Sequence, residues 1–416
     1  MKMITDLHIH SRYSMATSKD GNPENLDLWA RKKGISLIGT GDFTHPAWRG
    51  ELLEKLIPAE DGLYRLKEEY VALEARKYPG EAPRFVITGE ISSVYKKYGK
   101  SRRVHNVLIL PGLEAADQLS SRLEKIGNIH SDGRPILGLD SHDLLELMLD
   151  TCPEGMLVPA HIWTPHYSVF GAFTRFQSME ECFGDLTPYV HAVETGLSSD
   201  PAMNWQLSSL DAYQLISNSD AHSPGKLGRE ANLLDIDRSY KGLYQAIQKG
   251  QGLDGTLEFF PEEGKYHYDG HRKCGICLSP EETEQYHGLC PVCGKKLTIG
   301  VEHRIQELAD RKKGFVPKNA RHFEKLVPLP EVISQVMGFS PTSKRVQAKY
   351  QELLKSLGSE FDILRQVPLE DLKKAGGELL SESIGCIRRG NVICHPGYDG
   401  AYGTIEFGNG AEIRNT

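Results

Sequence analysis

Histidine and acidic residues recur along this chain directly after short apolar runs. The candidate ligands, in chain order, are His8, His10, Asp42, His45, Glu90, His105, His161, Asp220 and His222. Imidazole and carboxylate groups are the ligands that Zn, Mn and Fe take in proteins. The set is larger than one ion needs, so the sequence predicts a site that holds more than one metal ion.

Two pairs within this set have a spacing that suits a shared ion. Alternate residues of a strand point the same way, so His8 and His10 can hold one ion together, and Asp220 and His222 repeat the same step. A carboxylate such as Glu90 can bridge two ions, and two ions about 3.5–4 Å apart clamp the attacking and leaving oxygens of a phosphoryl displacement. The chemistry therefore predicts a phosphoesterase. Any one of these histidines, taken alone, is more often a packing residue; the ordered set argues against that alternative.

The elements that would position these ligands are short β-type runs alternating with helical stretches. The runs that precede ligands are residues 3–4, 36–38, 84–87, 156–158 and 214–216, and helical stretches include residues 23–33 and 113–126. This alternation is typical of an α/β layer or barrel. The ends of parallel barrel strands collect on one face, so we expect the scattered ligands to converge there.

Composition is that of a soluble globular protein. The chain has 416 residues, 39% hydrophobic and 25% charged, and no apolar run approaches the length of a membrane span. It is long enough for two or three domains. The N-terminus runs straight into the first strand with no room for a signal peptide, and the cysteines do not form a disulfide framework, so we expect a cytoplasmic protein. The net charge of −7 neither proves nor excludes DNA binding.

Four cysteines form two Cys-x-x-Cys pairs, Cys274 with Cys277 and Cys290 with Cys293. Four thiolates at this spacing predict a structural zinc ribbon with a tetrahedral zinc site. The alternative is a redox role, but the presence of two Cys-x-x-Cys pairs argues against it. A Gly-, Pro- and acid-rich stretch at residues 252–270 precedes the ribbon. We therefore expect a catalytic domain at residues 1–262, the ribbon at residues 263–300 and a helical domain at residues 301–416.

Basic and aromatic segments provide candidate DNA contacts. Five basic residues lie between two ligands, and a predicted helix start, with Ser340 as the N-cap and Pro341 following, carries two more. Lysine and arginine suit a phosphate backbone, and a helix N-terminus attracts phosphate; a solvated surface is the alternative. Three aromatic residues after His161 would line a base-sized pocket or pack against the barrel rim. The candidates are Lys96, Lys97, Lys100, Arg102, Arg103, Ser340, Lys344 and Arg345 for DNA, and Trp163, Tyr167 and Phe170 for the base pocket.

The order of ligand motifs over residues 1–262 resembles the PHP (polymerase and histidinol phosphatase) superfamily, whose members are distorted barrels of about seven strands with two or three metals. The resemblance implies one metal site at His8, His10, Glu90 and Asp220 and a second at Glu90, His105 and His161. His222 would belong to a third. The resemblance thus implies two or three divalent ions (Zn, Mn or Mg) as cofactors, with Asp220, Glu90, His8 and His10 as catalytic residues. The superfamily often has Asp directly before His after the second strand, whereas Asp42 and His45 are separated by two residues here, and the nearest candidate for its early ligand is Asp20.

The full three-part arrangement resembles the endonuclease Q family. The matching stretches include Gly39–Pro46, Thr88–Ser92, Pro159–Pro165, Ser219–Ser223, His303–Arg311 after the ribbon, and Gly397–Gly403. The resemblance implies an α/β protein made of a distorted (β/α)7 PHP-type barrel, a zinc ribbon and a mainly helical DNA-binding domain.

The same resemblance implies a DNA-repair endonuclease. Such an enzyme cuts 5′ to deaminated bases (uracil, hypoxanthine, xanthine) or abasic sites and leaves 3′-hydroxyl and 5′-phosphate ends, with the damaged nucleotide extruded from the helix. DNA is the implied partner of a monomeric enzyme, and a sliding clamp is known for some relatives, although residues 412–416 contain no clear clamp-binding peptide. The alternatives are a PHP-type phosphatase for a small phosphomonoester, a PHP-type exonuclease, and a DNA-binding module with a degenerate barrel.

Overall fold

The computed structural model of the protein describes residues 1–78 and 80–407. The strands are β1 Lys2–Asp6, β2 Leu37–Gly39, β3 Leu56–Pro58, β4 Tyr64–Leu66, β5 Arg84–Lys97, β6 Lys100–Leu110, β7 Ile136–Leu137, β8 Met156–Pro159, β9 Ala192–Glu194, β10 Gln214–Ile216, β11 Ala231–Asp235, β12 Leu253–Glu258, β13 Asp269–His271, β14 Ile276–Leu278, β15 His322–Lys325, β16 Val392–His395 and β17 Thr404–Phe407. The α-helices are α1 Pro23–Lys33, α2 Pro46–Lys55, α3 Leu113–Leu123, α4 Ser141–Thr151, α5 Met179–Phe183, α6 Pro201–Asn204, α7 Tyr240–Lys249, α8 Pro280–Gln285, α9 Val301–Leu308, α10 Leu329–Met337, α11 Lys344–Leu357, α12 Glu360–Arg365, α13 Leu369–Gly376 and α14 Glu378–Arg388.

Helix α1 has the bounds that the sequence predicts, and its ends show why. The Asn22 side chain caps the start by accepting the backbone N–H of Asn25 at 2.9 Å, and Pro23 occupies the first turn. The helix ends at Gly34, which adopts a left-handed φ of 86° that other residues rarely tolerate.

A mixed sheet of eleven strands forms the centre of the molecule and confirms the α/β class. Its main order is β15-β12-β11-β1-β2-β5-β4-β3, and β6 joins β5 to β8. Strands β1, β2 and β5 are parallel neighbours, whereas β11, β12 and β6 pair antiparallel. The sheet is therefore not all-parallel, as was assumed when the ligands were expected to converge at one face of a barrel. Closure into a seven-stranded barrel stays a prediction.

The longest strands, β5 and β6, form one antiparallel hairpin. Glu90 and His105 lie within this hairpin, which corrects the expectation that each ligand follows the end of a strand. Ser92 pairs with His105 across the hairpin, so Glu90, two residues before Ser92, lies on the same face as His105. The hairpin thus brings two ligands together that are far apart in sequence.

The region after residue 300 is mainly helical, as expected, but it also extends the central sheet. Strand β15 pairs in parallel with β12, and β16 and β17 form a terminal hairpin. One helix prediction needs correction, because α11 begins at Lys344 with Ser343 as its cap, not with Ser340. Residues 412–416, where a clamp-binding peptide was considered, lie outside the described residues.

Buried apolar residues of the N-terminal sheet region and of the C-terminal helices share one core. The apolar side chains of Leu26 on α1 and Phe85 on β5 belong to the same buried cluster as Val332 and Leu353 of the C-terminal helices. None of the helices in the described ranges combines the length and apolar character needed to cross a bilayer.

Candidate metal centre

Four of the predicted ligands meet at one point of the structure. Donor atoms of His8, His10, Glu90 and Asp220 all lie within 4.8 Å of one another. His10 Nε2 is 3.0 Å from Asp220 Oδ1 and 3.3 Å from Glu90 Oε2, and His8 Nε2 is 3.5 Å from Glu90 Oε1. This first donor group is the set that the sequence assigned to one metal site.

A second donor group adjoins the first and consists of Glu90, His105 and His161, again with donor atoms within 4.8 Å. His105 Nδ1 is 2.7 Å and His161 Nε2 is 3.3 Å from Glu90 Oε1. Glu90 is therefore common to both groups, with Oε2 toward His10 and Oε1 toward the second group. A carboxylate in this position can bridge two cations.

The unpaired atoms of these side chains fit metal ions. Four buried donor atoms of the two groups have no hydrogen-bond partner in the described residues. They are His8 Nε2, His10 Nε2, His105 Nδ1 and Asp220 Oδ1. Buried polar atoms normally find such partners. Nitrogen and carboxylate oxygen atoms that converge in this way suit divalent ions such as Zn or Mn.

Buried carboxylates hold the two histidines of the His-x-His motif in place. His8 Nδ1 donates to Glu194, with 3.0 Å to Oε2, and His10 Nδ1 donates to Asp42 Oδ1 at 3.0 Å. In both rings Nδ1 is thus engaged and Nε2 faces the donor group. Asp42 also accepts the N–H and hydroxyl of Ser11. Asp42 therefore orients a ligand, and its assignment as a ligand is corrected.

The loop that carries Asp220 is tied to the first strand. Asp6, at the end of β1, accepts the backbone N–H of Ser219 at 3.1 Å and that of Gly228 at 2.9 Å. His10 N donates to the carbonyl oxygen of Ala221 at 2.9 Å. Burial raises the pKa of Asp6 to about 6. These bonds set the distance between Asp220 and the His-x-His motif.

Three residues at this site have a backbone conformation that is unusual for side chains other than glycine. Asp42, His161 and Asp220 have φ angles of 50°, 30° and 47°. Left-handed conformations cost energy and persist where the surrounding structure imposes them, often at functional sites. The strain at three separate loops indicates that the position of these side chains is fixed by more than local preference.

The charges of the two groups are strongly coupled. Burial opposes a charge on His8, but Glu194, Glu90 and Asp220 outweigh it and hold the pKa of His8 well above its usual value. Burial likewise opposes a charge on Glu90, yet His105 and His8 keep its pKa well below the usual value. Burial lowers the pKa of His105 to about 4. A divalent cation at these donors requires neutral imidazoles, so its binding releases protons.

His45 and His222 lie beside the donor groups but not in them. His45 Nε2 donates to the carbonyl oxygen of His130 at 2.9 Å, and its ring stacks on Tyr13. His222 Nδ1 donates to the carbonyl oxygen of Asp220 at 2.8 Å, with its ring 4.7 Å from that of His10. Neither these two residues nor Asp20 joins a group of donors in the described part of the chain. The described residues therefore contain no donor group for the predicted third ion.

Two residues of the site, Glu194 and Arg134, were not predicted from the sequence. Glu194 ends a short apolar run, residues 192–193, and could have been found by the same pattern that revealed the ligands. Arg134, whose Nη1 is 3.2 Å from Glu90 Oε2, lies in an irregular turn before β7 and has no such signal.

The cysteine region gives a partly different donor set from the expected one. Cys274, Cys290 and Cys293 converge, but the fourth donor within 4.8 Å is His271. Cys277, in β14, instead places its Sγ 3.8 Å from the carbonyl oxygen of Pro396. Three thiolates and one imidazole also form a zinc site. The four-cysteine set stays a prediction, and His271 is a further candidate donor.

Among the basic candidates, three are exposed at the β5–β6 hairpin, namely Lys96, Lys100 and Arg103. Lys97 is half-buried and pairs with Asp140 at 3.1 Å. Arg102 is 4% exposed, donates to the carbonyl oxygen of Thr174 and lies over a phenylalanine ring. Its side chain is part of the protein interior, which corrects its assignment as a DNA contact.

The aromatic candidates divide in the same way. Trp163 and Phe170 are 0% and 1% exposed and pack together in the apolar core, and the Trp163 indole N–H donates to Asn204. This corrects their assignment to a base pocket in favour of packing. Tyr167 is half-buried, and its ring lies 4.7 Å from that of His105 and 5.6 Å from the Arg103 guanidinium.

At the start of α11 the predicted basic residues are near the surface. Ser343 caps the helix, while the Ser340 hydroxyl pairs with Thr342 at 3.0 Å. Lys344 is exposed, and the Arg345 guanidinium lies 4.7 Å from the centre of the Phe339 ring.

Fold and site together define a mixed α/β protein with two adjoining histidine–carboxylate donor groups that share one glutamate. Comparison with solved structures places it more narrowly. The lesion-specific endonuclease PfuEndoQ from Pyrococcus furiosus is similar over 98% of this chain and 96% of that chain, with a TM-score of 0.85 and 30% identity. Endonuclease Q in complex with a 27-mer duplex substrate with an abasic lesion at the active site is similar over 99% and 98%, with a TM-score of 0.84 and 31% identity. The chain belongs to the endonuclease Q family.

The chain is also similar to two proteins known by sequence. Uncharacterized protein YqxK of Bacillus subtilis is 29% identical over 97% of this chain and 99% of its own length. Uncharacterized protein MJ0043 of Methanocaldococcus jannaschii is 33% identical over 258 residues, and the chain spans only 31% of that protein. The family model of the MJ0043 C-terminal domain matches residues 328–391, which contain helices α10 to α14.

Proposed function

We propose that this protein is a metal-dependent DNA-repair endonuclease. It hydrolyses the phosphodiester 5′ to a deaminated base (uracil, hypoxanthine or xanthine) or an abasic site and leaves 3′-hydroxyl and 5′-phosphate ends. The observation that carries the proposal is the position of the buried Glu90, which is shared by the two donor groups, in a chain that belongs to the endonuclease Q family.

The donor groups suit phosphoryl transfer. His8, His10, Glu90 and Asp220 would hold one ion, and Glu90, His105 and His161 a second. When bound, such ions supply the charge that stabilises a phosphoryl transition state and the acidity that activates water. Glu194 and Asp42 keep His8 and His10 in the required orientation.

Asp220 is the most accessible acid of the two donor groups. Its side chain is 28% exposed, whereas that of Glu90 is fully buried. An acid at the open side of the site can position both an ion and the attacking water, so we assign that role to Asp220. The fully buried Glu90 holds the two groups together.

DNA would approach along the β5–β6 hairpin. Lys96, Lys100 and Arg103 are exposed there, and phosphate binding by such residues is electrostatic. Tyr98 at the tip is 67% exposed and offers an aromatic face for stacking. Tyr167, between Arg103 and His105, is the candidate contact for an extruded nucleotide.

The ribbon and the C-terminal helices would hold the duplex on either side of the lesion. Lys344 and Arg345 at the start of α11 are the candidate contacts in this region. We assign the ribbon metal a structural role, because three cysteines and His271 complete a four-donor set and no further donor joins it in the described residues.

A nicking assay tests the proposal. Labelled duplexes with a single uracil, hypoxanthine or abasic site are compared with undamaged DNA in the presence of Mg or Mn. We expect one cut 5′ to the lesion, lost in Asp220→Ala and retained in Asp235→Ala, which removes an acid whose partner is the N-terminal amine.

The other outcomes identify the alternative functions. Release of phosphate from small phosphomonoesters without lesion cutting would indicate a phosphatase. Progressive shortening of undamaged strands from one end would indicate an exonuclease. Tight binding of lesion DNA without cleavage under any metal condition would indicate a binding module.

A further inference from the structure

Arg134 reaches the donor groups from a turn that carries none of the predicted ligands. Its Nη1 lies 3.2 Å from Glu90 Oε2, on the side of Glu90 that faces His10. The Arg134 side chain is 23% exposed, whereas that of Glu90 is 0% exposed. Arg134 therefore connects the buried centre of the site with its open side.

The turn that carries Arg134 is fixed from two directions. The Asp132 carboxylate accepts the N–H of Met15 at 3.2 Å and that of Arg134 at 3.0 Å, and Gly133 N donates to the carbonyl oxygen of Tyr13 at 2.9 Å. On the other side, Ser92 N of β5 donates to Pro135 O at 3.0 Å. These bonds tie the turn to the loop after His10 and to the strand of Glu90.

Close packing at Gly133 adds to this restraint. A Cβ atom there would lie 2.4 Å from Asp42 Oδ2, which is closer than non-bonded atoms approach. Only glycine lets the turn come this near to the carboxylate that orients His10. The position of Arg134 is therefore fixed in the fold.

The guanidinium has more donors than the protein uses. It carries five N–H groups, and Glu90 is its one hydrogen-bond acceptor in the described residues. The charge of Arg134 also interacts with Asp220. A cation that is bonded to Glu90, with donors to spare and partial access to solvent, suits an incoming anion.

We propose that Arg134 binds a nonbridging oxygen of the scissile phosphate, a role that rests on the proposed function. A planar guanidinium matches the geometry of phosphate oxygens and stays charged at every working pH. Beside Glu90 and Asp220 it offsets the repulsion that these acids exert on a phosphodiester. Arg134 fixes the phosphate against the first donor group and stabilises the charge that develops on it.

Variants at this position test the role. Arg134→Ala and Arg134→Lys are compared with wild type in single-turnover cleavage of a lesion duplex, alongside the metal content of each protein. Arg84→Gln is the matched control. Arg84 lies on the same strand as Glu90, six residues before it in sequence, and pairs with Glu60 at 2.6 Å. Loss of one such charge-stabilising donor lowers rates by about 10²–10³-fold.

We expect that loss in Arg134→Ala with metal content unchanged, a smaller loss in Arg134→Lys, and partial recovery of Arg134→Ala by added guanidinium ion. A rate within threefold of wild type would refute the role. A fall in metal content that matches the fall in rate would also refute it, because Arg134 would then act only on the charge of Glu90.

Binding of inorganic phosphate to the Mn-loaded protein separates this inference from the proposed function. If wild type cuts no lesion, the endonuclease proposal fails, and phosphate affinity still tests Arg134. We expect Arg134→Ala to bind phosphate at least tenfold more weakly than wild type and Arg84→Gln to bind it equally well. Equal affinities of Arg134→Ala and wild type overturn the inference, whichever substrate the enzyme uses.

Discussion

Replacement of Glu194 by glutamine would test how far the site depends on the carboxylate behind His8. Glu194 is 0% exposed, and each of its oxygens meets two donors. Oε1 accepts from His8 Nδ1 at 3.1 Å and from Asn218 Nδ2 at 2.9 Å, and Oε2 accepts from His8 Nδ1 at 3.0 Å and from His161 N at 2.9 Å. In either orientation the glutamine NH2 would therefore face an N–H group.

The magnitude follows from these contacts. A hydrogen bond to a charged group contributes about 1.5–3 kcal/mol, and a buried donor left without a partner costs about 1–3 kcal/mol. Part of this loss should appear as a lower free energy of unfolding and part as weaker metal binding. Loss of a residue that orients a metal-binding histidine typically lowers metal affinity by about 10–100-fold, which equals about 1.4–2.7 kcal/mol.

The assay is the metal concentration that gives half-maximal cleavage, together with direct titration of Mn into the metal-free protein. We expect Glu194→Gln to require about 10–100-fold more metal and to recover much of its rate when metal is in excess. Glu258→Gln is the matched control, since burial raises the pKa of Glu258 to about 8 and leaves it neutral at pH 7. Glu258 also contacts Thr195, the residue after Glu194, at 3.2 Å.

Two results would refute this reasoning. A metal affinity of Glu194→Gln within twofold of wild type would show that the negative charge behind His8 is not required. An equal loss in Glu258→Gln would show that any change in this buried region disturbs the site.

Three further predictions concern stability, the ribbon and DNA. Burial raises the pKa of Glu258 from 4.5 to about 8, so between these pH values the folded state keeps the proton that the unfolded chain releases. The free energy of unfolding should therefore fall as pH rises through this window. Denaturant titrations at pH 5 and pH 8 should show a smaller fall in Glu258→Gln than in wild type. Zinc retention against a chelator should fall in His271→Ala and persist in Cys277→Ser, and the reverse result would restore the four-cysteine set. Lys96→Ala and Lys100→Ala should each reduce the salt dependence of DNA binding, by about 0.9 in the logarithmic slope for each phosphate that the variant no longer neutralises, and an unchanged slope would place the DNA elsewhere.

The ligand chemistry was readable from the sequence because it depends on residue type and short spacing. His8 and His10 are two residues apart on an extended segment, so both point to one side, and Asp220 follows its own apolar run. The α/β class was readable for the same reason, since hydrophobic periodicity is local. The family resemblance then supplied the division of the ligands into two groups, and in the structure Glu90 lies in both.

Other assignments depended on which neighbours a side chain meets, and residue type does not contain that information. Asp42 and Glu194 are acids of the same kind as Glu90, but their distance from His10 and His8 makes them orienting residues. Trp163 and Tyr167 both follow the ligand His161 by a few residues, yet only packing decides that Trp163 is buried and Tyr167 lies beside His105.

The sequence by itself therefore determined the α/β class and the donor chemistry, and the resemblance it carries indicated how the ligands divide into two groups. The tertiary structure alone decided that Arg134 reaches Glu90, that Arg102 is internal and that His271 replaces Cys277 among the nearest ribbon donors. The physical reason is that ligand type and strand periodicity are properties of a few consecutive residues. Burial, charge pairing and donor distance arise only when segments far apart in the chain pack against one another.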